Sequence, residues 1–145
     1  MIARAAALLL CLLGTGCMPV YKLRPGEPSV PLQLAYPQQA AWICDSGPRM
    51  RLRANREGVV RIPAERRITL GVQFVSGWGH PGAIACSPSV HLVAQADAAY
   101  YQHFELDGLA CHTWVYRQNP QDPRTGLAHA PGVQPGRAGC GEASR

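Results

Sequence analysis

The sequence predicts an all-β domain, a small antiparallel β-sandwich or small barrel of six to seven strands, on three observations. Between residues 39 and 118 apolar residues recur at every second position in short runs, and no run of helical period reaches three turns. The 145 residues include 15 Gly and 13 Pro, which punctuate those runs at short intervals. Hydrophobic residues make up 47% and charged residues 16%, a balance that excludes a charge-rich disordered chain and suits one small core.

The chain opens with the parts of a secretory signal over residues 1–16: Arg4, an apolar centre over residues 5–13, then small residues up to Cys17. The apolar run falls short of the roughly 20 residues that span a bilayer, so a polytopic membrane protein is excluded. Residues 17–38 carry Pro19, Pro25, Pro28, Pro31 and Pro37, which block helix and favour extended backbone. They read as a tether, with its second half, near Val30 to Leu34, open to being an irregular first strand.

Within 39–118, Arg49, Arg51 and Arg53 alternate with Met50, Leu52 and Ala54, which predicts a strand with one basic and one apolar face. A turn over residues 55–58 then leads into Val59, Val60 and Ile62, giving a hairpin. Residues 68–75 form the next strand, 76–88 a long glycine- and proline-rich loop, and 89–94 another strand. Helix is confined at most to 94–99. Residues 100–116 make two strands about Asp107 and Gly108, a strong short-range hairpin signal. The Pro/Gly-rich stretch 119–145 lacks periodicity and reads as a disordered tail except near Cys140.

Of six cysteines, Cys11 lies in the leader and Cys17 at its end, leaving Cys44, Cys86, Cys111 and Cys140. Four spaced cysteines in an exported domain predict two disulfides. Three pairings exist; the strands that Cys86 and Cys111 flank favour joining those two, which leaves Cys44 to Cys140.

The run into Gly14-Thr15-Gly16-Cys17 resembles the lipobox of bacterial lipoproteins, and the resemblance implies that Cys17 is lipid-modified and becomes the first residue. Met18, where an inner-membrane lipoprotein carries an acidic residue, implies the outer membrane, facing the periplasm. Cleavage without acylation, releasing the protein to the periplasm, is the alternative. Farther along, Arg61-Ile62-Pro63-Ala64, Ile68-Thr69-Leu70, Cys86-Ser87-Pro88 and the stretch 100–111 resemble small lipoproteins of Gram-negative bacteria. That likeness implies an envelope β-sandwich and carries no activity with it. Trp42-Ile43-Cys44-Asp45-Ser46-Gly47 is similar to the opening of membrane-bound lysozyme inhibitors, which makes inhibition of an envelope hydrolase the second functional reading.

No nucleophile elbow, phosphate loop, HExxH or calcium loop occurs, so the chain is read as not an enzyme and as needing no cofactor. Ser87 and Ser89 near His91 are commonplace neighbours, and Asp97, Glu105 and Asp107 form no convincing carboxylate pair. Of 14 Lys plus Arg against 9 Asp plus Glu, only Arg4 falls in the leader, which leaves a formal charge of +4. The stripe Arg49, Arg51, Arg53 suits anionic lipid or an acidic envelope protein; the envelope compartment disfavours nucleic acid. With Asp107 and Gly108 as the turn, His103 opposes His112 and Tyr101 opposes Trp114 on the outer face, with Tyr116 beyond. These five form the expected contact surface. His103, His112 and Glu105 are weak metal candidates on that register, outweighed by a plain aromatic face.

Overall fold

The computed structural model describes residues 18–36, 40–77, 79–119, 127–136 and 140. Cys17, the leader, Trp78 and the remainder of the C-terminal stretch lie outside the described residues. The alternating runs become eleven described strands: β1 (Ser29–Leu34), β2 (Ala40–Cys44), β3 (Met50–Arg51), β4 (Val59–Pro63), β5 (Arg67–Ser76), β6 (Ile84–Cys86), β7 (Ser89–Val93), β8 (Ala99–Asp107), β9 (Ala110–Gln118), β10 (Leu127–His129) and β11 (Gln134–Gly136). They form an all-β sandwich of two sheets. One has the order β10-β9-β8-β1-β4; the other runs β11-β7-β5-β2-β3, with β6 paired to β5.

Period two decides what fills the space between the sheets. From the first sheet Val30, Leu32 and Leu34 of β1, Ile62 of β4, Tyr100 of β8 and Val115 of β9 point inward. From the second come Ile43 of β2, Ile68 and Leu70 of β5, and Val90 and Leu92 of β7, all buried in one cluster. Each such side chain contributes about 1.5–3 kcal/mol on leaving water.

Several expectations need correction. The proline-rich segment is not a free tether through residue 38, because β1 lies inside the first sheet, antiparallel to β4 and parallel to β8. Pro31 is tolerated there because pairing with β8 begins only at Leu32, so the missing N–H breaks no bond on that side. The tail is not wholly irregular. β10 extends the first sheet beside β9, and β11 extends the second beside β7. Both are edge strands, which need no apolar alternation and accept Pro135.

The basic strand and β4 do not form a hairpin. β3 pairs with β2 in one sheet, while β4 pairs with β1 in the other. The Asn55 side chain accepts from the backbone N–H of Glu57 (3.0 Å) and Val59 (2.9 Å), and Gly58 takes φ 77°, so the turn itself forms. Leu52 N–H, however, donates to Ala41 O (2.9 Å), and the chain crosses between sheets at this corner. Residues 94–99 hold a turn closed by Ala98 N–H to Gln95 O (3.2 Å), not a helix. The long loop contains β6.

Both disulfides pair as favoured. Cys86–Cys111 ties β6 to β9 and so links the two sheets, and Cys44–Cys140 brings the C-terminal segment back to β2. The residues of β2, β5 and β7 turned away from the inter-sheet core, Trp42, Cys44, Thr69, Gly71, Ser89 and His91, are also buried. Cys140 sits on that side, and the Arg49 guanidinium lies 4.2 Å from the centre of the Trp42 ring.

Candidate functional site

The outer face of the first sheet gathers the aromatic residues. The β8–β9 hairpin closes as Asp107↔Ala110, with Glu105↔His112, His103↔Trp114 and Tyr101↔Tyr116. His103 is therefore not opposite His112, and Tyr101 is not opposite Trp114. Gly108 (φ 59°) occupies the first central position of a two-residue turn completed by Leu109, and it is the only one of the two with positive φ. A turn of the II′ kind needs that geometry at its first central residue alone, whereas an Asp107-Gly108 turn of type I′ would require it at Asp107 as well. The correction moves the ladder by two residues, so every side chain keeps its predicted face.

Across that face runs a row of paired positions, Gln33 on β1, Tyr101 on β8, Tyr116 on β9 and His129 on β10. A second row holds His103 and Trp114, and a third Glu105 and His112. The rings make a nearly continuous strip. Tyr101 stacks on His103 with centroids 6.2 Å apart, and Tyr36 lies 6.0 Å from His103. On the other side His112 stacks on Trp114 (6.1 Å), Trp114 meets His129 edge-on (6.2 Å), and Tyr116 lies 5.1 Å from His129. Trp114 remains 37% exposed. All five residues of the expected contact surface are here, joined by Tyr36 and His129. Neither addition is legible in the sequence, since Tyr36 follows a proline-rich strand and His129 lies in a stretch without periodicity.

The strip is a surface rather than a pocket. An adjoining cleft, where His112 and Trp114 meet Pro88 and Pro135, encloses about 200 Å³, less than the roughly 300–1,000 Å³ of ordinary small-molecule sites. Among the described residues no group of three His, Cys, Asp or Glu is placed to hold a metal, and the new register separates the candidates His103, His112 and Glu105 into two rows.

The basic stripe divides. Arg51 pairs across the ladder with Trp42, and the Arg49 guanidinium covers Trp42 and donates to Ser87 Oγ (3.2 Å). Arg51 and Arg53 are exposed beside Val20. His91 is buried with its Nδ1 2.9 Å from Thr69 Oγ1, within the sheet. The segment like lysozyme inhibitors serves the interior, since Trp42, Ile43, Cys44 and Asp45 are all buried.

A polar cluster escaped sequence reading because its members are far apart in the chain. Arg66 bridges Glu27 and Asp45, and the Tyr21 hydroxyl donates to Asp45 Oδ2 (3.3 Å) while lying 3.4 Å from Arg66. Burial, then the neighbouring Asp45 carboxylate, pushes the Tyr21 hydroxyl from 10.0 up to about 12. A raised folded-state value leaves the associated stability intact below about pH 10 and removes it as pH climbs toward 12. Absorbance titration near 295 nm should therefore lose a step near pH 12 in Tyr21→Phe. Stability should fall less steeply between pH 10 and 12 in that variant than in the parent; identical curves would place the tyrosine elsewhere.

The fold and surface define a disulfide-stapled β-sandwich with one aromatic–imidazole outer face. No family model, curated protein or solved structure matches the chain.

Proposed function

We propose that the protein is a lipid-anchored component of the bacterial envelope, attached through Cys17 to the outer membrane's periplasmic face, and that it works as a binding or structural module. Its ligand-facing surface is the ring strip, and its partner is another envelope protein. The strip supports this most directly. The inward faces already supply the core, so the half-exposed Trp114, Tyr101 and Tyr116 are not needed there, and aromatic residues are enriched at interface centres. The imidazoles of His103, His112 and His129 add polar groups, as a partner with its own hydrogen-bonding surface requires. Two disulfides support an oxidising compartment.

A photoreactive benzoylphenylalanine placed at position 114 or 116 tests the surface. Irradiation of intact cells should give a discrete higher-mass adduct that the same group at the exposed Gln73 does not. Lack of an adduct at both positions, or the same adducts from position 73, would overturn the assignment. Cys17→Ala tests the anchor: it should move the protein from the membrane fraction to the soluble one, and unchanged fractionation sinks that part.

A further inference from the structure

The first described residues are not loose. Arg51 N–H donates to Pro19 O (2.7 Å), Tyr21 N–H donates to Arg51 O (2.9 Å), and Val20 makes a parallel bridge with Arg51. The chain from Pro19 to Tyr21 therefore lies along the outer edge of β3, held by these two backbone hydrogen bonds. Two residues separate Cys17 from the pinned carbonyl of Pro19, and fully extended they span about 7 Å. The headgroup layer on one side of a bilayer is of similar depth, about 5–8 Å, and the Debye length at physiological salt is about 8 Å. A chain entering a membrane at Cys17 cannot hold this edge much beyond the headgroups.

The edge has matching chemistry. Val20, Arg51, Leu52, Arg53 and Ala54 line an open groove of about 360 Å³. Arg51 and Arg53 are exposed there, Val20 is 42% exposed, and Lys22, Arg24 and Arg56 are exposed on the adjoining segments. Of the acids on neighbouring described segments, Glu27 and Asp45 are largely buried against Arg66, while Glu57, on the turn after Arg56, and Glu65, beside Arg66, are exposed.

We infer that this edge is a membrane-docking surface: Arg51 and Arg53 lie against anionic lipid headgroups, and the domain rests on the bilayer through β3 instead of standing off on a tether. The inference rests on the proposed membrane attachment at Cys17. Guanidinium groups form paired hydrogen bonds with lipid phosphate, and residues so close to the surface experience its potential with little screening. Docked in this way, the orientation of the domain is fixed by its own backbone hydrogen bonds.

The test uses the full acylated chain, purified from its membrane and reconstituted into vesicles of phosphatidylcholine alone or with phosphatidylglycerol. Amide hydrogen exchange should slow over residues 20–24 and 50–54 on the anionic vesicles only, while the tip of the β8–β9 hairpin is unchanged. Arg51→Glu with Arg53→Glu should remain bound in vesicle flotation yet lose that protection, with a shift of at least about thirtyfold in the docked-to-undocked ratio. Equal protection on both lipids, or none on either, overturns the docking surface even if flotation confirms the anchor. If Cys17→Ser still floats with the phosphatidylcholine vesicles, the anchor reading fails; if it floats with the anionic vesicles alone and keeps the protection, the docking surface stands without the anchor. If the parent chain floats with neither vesicle, both fail.

Discussion

Gly71→Ala is expected to lower the melting temperature by roughly 5–15 °C, on a cost of about 1–3 kcal/mol for overpacking a filled interior. Gly71 carries no unusual backbone angle; what it supplies is space. A Cβ there would come within 2.2, 2.3 and 2.8 Å of three atoms of the Trp42 ring. Trp42 pairs directly with Gly71 across β2 and β5, is fully buried, and is closed from above by the Arg49 guanidinium. The ring has no route to relieve the contact without shifting the ladder or giving up that stacking. Removing the obstacle should therefore remove most of the cost. In a double-mutant cycle with Trp42→Leu, the alanine at 71 should cost less than half of what it costs beside tryptophan. Additive effects in thermal unfolding would mean that Trp42 packs elsewhere.

This pair also marks the limit of what the residues disclosed. Burial on the inner faces was legible because alternation is local: Met50 with Leu52, Ile68 with Leu70, or Tyr100 with Gln102 and Phe104 announce their side of the sheet without knowledge of any partner. Burial of the outer face of β2, β5 and β7 was not, since it depends on Gly71, Trp42, Arg49 and Cys140, which are scattered along the chain. The β8–β9 register failed for a related reason. A slip of one residue would have turned every apolar side chain outward and been rejected, but a slip of two leaves the faces unchanged, and only the turn geometry at Gly108 distinguishes the alternatives. Hence the aromatic face was predicted correctly while the opposed histidines within it were not. Strand pairing across distance was the least legible of all. The basic run and β4 read as a hairpin because they are neighbours in sequence, yet β3 found β2, and β4 found β1, a strand that its own prolines disguised.

Removing the Cys44–Cys140 bridge is expected to cost more than removing Cys86–Cys111, at about 4–5 against about 3–4 kcal/mol when the loss is reckoned from loop closure in the unfolded chain. The first encloses a sequence separation of 96 residues and the second one of 25. Native contacts widen the gap. Cys86–Cys111 joins β6 to β9, and both strands also hold their places through backbone ladders of their own, β6 with β5 and β9 with β8. Cys140 is the described residue that returns from β11, at one edge of the second sheet, to β2 on the far side of β7 and β5. Without the bridge, the outer face that buries Trp42, Thr69 and His91 loses a covalent constraint that its short edge strand cannot replace. Urea unfolding of Cys44→Ala with Cys140→Ser, beside Cys86→Ala with Cys111→Ser, measures the difference. The first pair should show the lower midpoint, and a steeper dependence on urea because the unfolded chain exposes more surface. A lower midpoint for the second pair would mean that the link between the sheets, and not loop closure, sets the stability of this sandwich.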